Sequence, residues 1–127
     1  MKKAILLFGM LLLFAPMAAA QKVIAEKAIT VAAGSASWWD YSFERSTTIK
    51  GKFRAQGGGK NDIEVYIVDD DGLENLKNGN QFRYFYFSGR VTVASFDVTL
   101  ARGNYHMVFN NKWTLISPKA VTVWFYE

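Results

Sequence analysis

The chain has 127 residues, a formal net charge of +4 and no cysteine. This length suits one domain with its own core, and the missing cysteines exclude disulfides and thiolate metal sites. When residues 1–20, with Lys2 and Lys3, are set aside, 13 of the 15 basic residues remain against 11 acidic ones. No clustered basic surface is indicated, so nucleic acid is excluded as the expected partner.

Residues 1–20 form a predicted secretory signal peptide. Lys2 and Lys3 precede an apolar run from residue 4 to residue 14, and small residues at 18–20 precede Gln21; this is the order of segments in an export signal. The apolar run is shorter than the ~20 residues that a helix needs to span a bilayer. We expect cleavage after residue 20, a periplasmic or secreted product without a transmembrane anchor, and one mature domain over residues 21–127.

From residue 22 onward, short runs of alternating apolar and polar residues are separated by Gly, Asn, Asp and Ser. This period of two predicts strands, and no stretch sustains the 3.6-residue period of a long helix. In segment 70–81, Leu73 and Leu76 have the spacing of a single helical turn or a compact loop. The fold class is therefore all-β, an antiparallel β-sandwich of about eight strands. The predicted strands are 23–31, 38–44, 48–56, 62–69, 82–87, 91–100, 105–109 and 120–126.

Two neighbouring predicted strands, 48–56 and 62–69, are joined by a glycine-rich loop. If they fold back as a hairpin about Gly59, Phe53 lies opposite Val65 and inward residues meet inward residues. We therefore expect these two strands to be paired neighbours in one sheet.

His106 is the only histidine and lies in a predicted strand. A Ser-His-Asp set can be assembled from residues distant in sequence, but no Gly-x-Ser-x-Gly nucleophile motif is present. We expect no catalytic residue, no enzymatic activity and no cofactor.

Three adjacent carboxylates, Asp69, Asp70 and Asp71, precede Gly72. Hard cations take clustered carboxylates, but the spacing fails the EF-hand pattern because Asn78 would occupy the closing position. The sequence predicts no metal site here, since such a run is also typical of a solvated strand end. A calcium loop of another kind is the alternative that the sequence leaves open.

Four aromatic residues are the candidate binding residues. Trp38 falls in the polar phase of its strand, Trp113 falls in a predicted loop, and Trp124 and Tyr126 fall opposite the apolar phase of the last strand. If two or more of them lie together at the surface, they form a platform for sugar rings or an apolar partner. The alternative is that they pack under loops or cover a sheet face, because aromatic residues commonly serve cores.

Six short motifs follow one another within residues 29–126. They are Lys50-Gly51-Lys52-Phe53-Arg54-Ala55, Gly58-Gly59-Lys60-Asn61-Asp62-Ile63, Phe87-Ser88-Gly89, Leu100-Ala101-Arg102-Gly103-Asn104-Tyr105, Phe109-Asn110-Asn111 and Ser117-Pro118-Lys119-Ala120-Val121. In this order they resemble the GOLD (Golgi dynamics) domain of secretory-pathway cargo receptors. The resemblance implies a GOLD-like sandwich of the jelly-roll or Greek-key type that recognises proteins or lipids and has no enzymatic activity.

These observations lead to one functional hypothesis with two alternatives. The hypothesis is an exported, non-catalytic binding module or adaptor of the bacterial envelope that recognises a protein or another envelope component. The first alternative is a carbohydrate-binding module that uses exposed tryptophans such as Trp38 and Trp113, and the second is a structural domain of an envelope assembly. Glycan and lipid are the other partners that the sequence allows.

Overall fold

The structure is a computed structural model, and it describes residues 23–57, 62–113 and 117–126. The signal peptide predicted for residues 1–20 lies outside the described residues. Within the described ranges, no helix is long and apolar enough to cross a bilayer. The elements are β1 (Val23–Val31), β2 (Ala36–Phe43), β3 (Thr47–Gly57), β4 (Ile63–Asp69), α1 (Asp70–Lys77), β5 (Tyr86–Val91), β6 (Val93–Leu100), β7 (Gly103–Asn110) and β8 (Lys119–Tyr126).

The eight strands form two antiparallel sheets of four strands each. Sheet 1 has the order β1-β8-β3-β6, and sheet 2 has the order β2-β7-β4-β5. β8 thus lies between β1 and β3, and β7 lies between β2 and β4, which is the strand order of an eight-stranded jelly roll. The predicted all-β sandwich is confirmed.

The core lies between the two sheets and contains the inward side chains of both. Phe53 of β3 and Val65 of β4 are fully buried, and Phe109 and Val123 complete the same cluster from the two central strands β7 and β8. Each such side chain contributes about 1.5–3 kcal/mol when it leaves water. The inward phase predicted for strands 48–56 and 62–69 is therefore confirmed.

The pairing predicted for those two strands is wrong. β3 lies in sheet 1, where Phe53 is opposite Val123 on one side and Ala94 on the other. β4 lies in sheet 2, where Val65 is opposite Phe109. The two strands face each other across the core instead of lying side by side. Alternation places the same residues inward in both arrangements, so it does not distinguish a hairpin from a crossover between sheets.

The segment after β4 forms a two-turn helix, longer than the single turn predicted. The helix begins where the Asp69 carboxylate accepts a hydrogen bond of 2.8 Å from the Gly72 N–H, as an N-cap residue does. Leu73 and Leu76 pack on Val108 at the outer face of sheet 2. The helix therefore covers part of a sheet face that the alternation pattern alone would expose.

The strand predicted at 82–87 begins only at Tyr86. Residues 78–85 instead form an irregular segment, here called the strap, which runs from the end of α1 to β5. The strap starts with Asn78 and with Gly79 at a φ of 74°, a left-handed conformation that ends the helix. Phe82 packs against the cluster beneath α1, so its place in the strap is set by the helix and not by a strand ladder.

Candidate functional site

The strap, β4 and β5 bring four aromatic rings together on the outer face of sheet 2. Tyr66 and Phe87 are stacked, with ring centroids 4.5 Å apart and an interplanar angle of 13°. The Phe82 ring is edge-on to the Tyr66 ring, with centroids 5.1 Å apart, and the centroids of the Tyr84 and Phe87 rings are 5.5 Å apart. Tyr84 is 51% exposed and Phe87 is 38% exposed. We call this set of four rings and the space above them the aromatic groove.

A β-bulge in β5 places Phe87 on this face. In the ladder between β4 and β5, Glu64 is opposite Arg90 and Tyr66 is opposite Phe87, so two residues of β5 face one residue of β4. Gly89 in this bulge has a φ of 74°, a left-handed conformation that glycine adopts without steric cost. The bulge changes the side-chain phase, so Phe87 and Arg90 both lie on the outer face, which strict alternation would not allow.

Polar side chains complete the aromatic groove, which has a volume of about 600 Å³. Asn75 of α1 and Gln81 and Arg83 of the strap line it together with the four rings. The Arg83 guanidinium is 3.9 Å from a carboxylate oxygen of Asp69, and its side chain is 83% exposed. Small-molecule sites have this composition, with aromatic walls and a few polar groups that fix orientation.

The hydroxyl of Tyr66 remains a hydrogen-bond donor at neutral pH. Burial raises the pKa of Tyr66, and the neighbouring Glu64 and Tyr84 raise it further. A neutral phenol both donates and accepts a hydrogen bond. The lining of the aromatic groove therefore includes a polar group on one of its stacked rings.

Trp38 and Trp113, two of the predicted binding residues, also lie on the sheet 2 side but outside the groove. Trp38 is 37% exposed, and the Lys77 ammonium lies 5.7 Å from its ring. Val108 lies between Trp38 and Tyr66 in the register and is covered by α1, so the helix separates the two rings. Trp113 is half-buried against Arg90, whose guanidinium lies 4.1 Å from its ring.

Trp124 and Tyr126, the other two predicted residues, lie on the opposite side of the molecule. Both are half-buried on the outer face of sheet 1, where Trp124 is opposite Lys52 and Tyr126 is opposite Lys50. The Lys52 ammonium lies 5.4 Å from the Trp124 ring. Two of the four predicted residues, Trp124 and Tyr126, therefore share the outer face of sheet 1. Trp38 and Trp113 lie on the sheet 2 side, so the four residues do not form one platform.

His106 forms a bridge between two elements instead of a free imidazole. Its Nδ1 lies 2.7 Å from Asp40 of β2, and its Nε2 lies 2.7 Å from Asp70 of α1. A carboxylate oxygen only accepts, so both contacts are hydrogen bonds when both ring nitrogens carry protons. Neither nitrogen faces a hydroxyl nucleophile. The bridge fixes the start of α1 on sheet 2.

The three adjacent carboxylates have separate structural roles. Asp69 caps α1, and Asp70 contacts His106 and accepts a hydrogen bond from the Asn104 amide at 3.4 Å. Asp71 lies exposed in the first turn of α1, where an acidic residue interacts favourably with the helix dipole. In the part of the chain that the structure describes, no group of three His, Cys, Asp or Glu residues is placed to hold a metal ion.

We expect Asp70 to make stability depend on pH in the acid range. The hydrogen bonds from His106 and then Asn104 hold the pKa of Asp70 below its usual value. Stabilisation by a carboxylate with a lowered pKa is fully present above its unfolded-state pKa of about 4, and is lost as the pH falls through the lower folded-state value. Asp70→Asn should therefore be less stable than the wild type at pH 5, and the difference should shrink below about pH 4.

Urea unfolding at a series of pH values measures this effect. Asp71→Asn is the matched control, because it changes the net charge equally in the same helical turn. A difference between the wild type and Asp70→Asn that stays constant from pH 5 downward would contradict the assigned bridge.

The sequence interpretation missed the aromatic groove, although one signal for it was present. Between residues 82 and 87, five of six residues are aromatic. A strand with one buried face buries only alternate residues, so some of these rings had to lie elsewhere. Their partner Tyr66 carried no separate signal, because it meets these rings only through the fold.

Comparisons with known proteins assign the chain to no family. No protein-family model matches the chain, and no curated protein matches it. A solved structure described as "CBM4 structure and function", a carbohydrate-binding module, matches with a TM-score of 0.40 and 15% sequence identity. The match covers 83% of this chain and 73% of that chain.

Proposed function

We propose that this chain is an exported, non-catalytic binding domain that recognises a protein or another component of the bacterial envelope through the aromatic groove. The observation that carries the proposal is the set of four contacting rings, of which Tyr84 and Phe87 are substantially exposed. Exposed contiguous apolar patches are rare on monomeric proteins and mark sites of interaction.

The position of the groove supports a role in recognition. Its rings come from β4, β5 and the strap. Two of them, Tyr66 and Phe82, pack against the buried residues between α1 and sheet 2. Side chains held by packing lose little conformational freedom when a ligand binds. The groove is thus a preformed surface, as most ligand sites are.

The arrangement around His106 supports a role without catalysis. A general base needs a ring nitrogen within hydrogen-bond reach of the proton that it removes. Both nitrogens of His106 instead face the carboxylates of Asp40 and Asp70 at 2.7 Å. The resemblance to the GOLD family, stated from the sequence, adds support for recognition without enzymatic activity.

The test is co-sedimentation of the mature chain, residues 21–127, with isolated envelopes of the native source. We expect the wild type to bind and Tyr84→Ala/Phe87→Ala to bind at least about tenfold more weakly, because aromatic anchors dominate interface energies. The matched control is Ile24→Ala/Val93→Ala, which removes two exposed apolar side chains from sheet 1. This control should bind like the wild type.

Two results would contradict the proposal. The first is no binding of the wild type to envelopes, which would favour a structural role. The second is equal binding of the wild type and the groove variant, with loss in Trp124→Ala, which would place the binding surface on sheet 1. Thermal unfolding of each variant checks that the fold is retained.

A further inference from the structure

We infer that the ligand of the aromatic groove is a neutral glycan, bound by stacking of sugar rings on Tyr84 and Phe87 and by hydrogen bonds to the groove's polar rim. This inference rests on the proposed function and adds the chemical class of the ligand. Four features of the groove carry it: the arrangement of its rings, its amide groups, its charge and its size.

The exposed rings suit the apolar face of a sugar. A pyranose ring carries C–H groups on its faces and hydroxyl groups around its edge. The faces of aromatic rings are electron-rich, so they attract the weakly positive C–H groups of a sugar laid flat against them. Tyr84 and Phe87 are inclined at 55° with centroids 5.5 Å apart. Together they form an angled surface on which one sugar ring contacts two aromatic rings.

The polar rim suits the hydroxyl groups of a sugar. Asn75 and Gln81 contribute carboxamides, which both donate and accept hydrogen bonds. A sugar hydroxyl also does both, so amides pair with it in either direction. Arg83 adds further donors, and the Tyr66 hydroxyl adds a group of either kind. An apolar side chain of a peptide would offer these polar groups no partner, whereas a sugar ring carries hydroxyl groups around its whole edge.

The charge of the lining favours an uncharged ligand. Arg83 is the one charged residue among those that line the groove, and Asp69 lies 3.9 Å from its guanidinium. No carboxylate lines the groove to attract a cationic peptide, and no cluster of cations is present for an anionic polymer. The lining is close to neutral.

The size of the groove suits a short stretch of sugar chain. A volume of about 600 Å³ lies within the range of about 300–1,000 Å³ that small-molecule sites occupy. The groove therefore fits a short stretch of sugar chain.

The test repeats the co-sedimentation on envelopes treated in two ways before the chain is added. Protease removes envelope proteins, whereas periodate cleaves the vicinal diols of sugars. We expect groove-dependent binding to survive protease treatment and to fall at least about tenfold after periodate treatment. Untreated envelopes and quenched reagent blanks serve as controls.

Variants at residue 84 separate stacking from general apolar contact. Tyr84→Phe keeps a flat ring, whereas Tyr84→Leu keeps an apolar side chain without one. For a stacked sugar, we expect Tyr84→Phe to bind more tightly than Tyr84→Leu, with Tyr84→Leu at least about tenfold weaker than the wild type. An apolar protein segment would tolerate leucine.

Each outcome leads to a distinct conclusion. Groove-dependent binding that is lost to protease or tolerates Tyr84→Leu would overturn the glycan inference and leave the proposed function standing. Binding that survives both treatments and requires a ring at residue 84 would support a glycan whose linkages leave no vicinal diols. Binding to untreated envelopes that does not depend on Tyr84 and Phe87 would overturn the proposed function itself. Binding that resists protease, is lost to periodate and requires a ring at residue 84 would support both.

Discussion

Replacing Gly51 with alanine should lower the free energy of unfolding by about 3 kcal/mol, because the added methyl group has no room. Gly51 is buried in β3, in the phase that faces the core. A Cβ at this position would overlap the carbonyl oxygen of Trp124 in β8 and lie 2.5 Å from Cζ of Phe96 in β6. The Phe96 ring is buried in the core and packs against Phe125, and the carbonyl belongs to the backbone of the central strand β8. Relief therefore requires a shift in the ladder between β3 and β8.

The sign of this effect distinguishes packing from the general behaviour of glycine. In a strand, Gly→Ala alone tends to stabilise a protein by about 0.4–1 kcal/mol, because it restricts the unfolded chain. Gly79→Ala is the matched control, since nothing lies within 4 Å of its added methyl group. In this control the free energy of unfolding should fall by only roughly 1–2 kcal/mol, because a residue with a Cβ pays this cost in a left-handed conformation. Urea unfolding measures the free energy of unfolding of both variants. If Gly51→Ala is as stable as the wild type, the backbone of β8 can move without a loss of stability, and the prediction is wrong.

Replacing Asn111 with alanine should also cost about 3 kcal/mol, since it removes a buried donor that serves several carbonyl groups. Asn111 is fully buried at the end of β7. Its amide nitrogen donates to the carbonyl oxygens of Val31, Ala32 and Ser117 at 3.4, 3.3 and 2.9 Å. One side chain thus joins the end of β1, the turn after it and the segment before β8.

Asn110→Ala is the matched control for Asn111→Ala. The Asn110 amide donates to the Glu64 carboxylate at 2.8 Å in a half-buried position, and the loss of one partly exposed bond to a charged group costs about 1.5 kcal/mol. Urea unfolding with an unchanged m-value measures the difference between the two variants. If the two variants lose the same free energy of unfolding, water replaces the hydrogen bonds of the Asn111 amide.

The sequence by itself determined the fold class and most of the strands. Alternation identified β1 over its full length and placed β3, β4 and β8 to within one residue at each end. It also identified the inward phase, because a period of two directly reports which face of a strand is buried. Trp39 and Tyr41 accordingly pack against the core while Trp38 faces outward.

Only the tertiary structure decided which strands are neighbours. The predicted hairpin between β3 and β4 is wrong because both sheets bury the same inward residues, and local alternation carries no information about the sheet to which a strand belongs. Long-range pairing, such as Phe53 with Val123 and Val65 with Phe109, distinguishes the jelly roll from a meander.

The candidate site also depended on tertiary structure. Tyr66 and Phe87 meet because the bulge at Gly89 changes the side-chain phase of β5, and Phe82 and Tyr84 join them because the strap follows α1 across sheet 2. A bulge and an irregular segment have no hydrophobic period. An interpretation based on the period therefore favoured Trp38, Trp113, Trp124 and Tyr126 as binding residues instead. The sequence thus supplied the rings, and the irregularities of the fold brought them together.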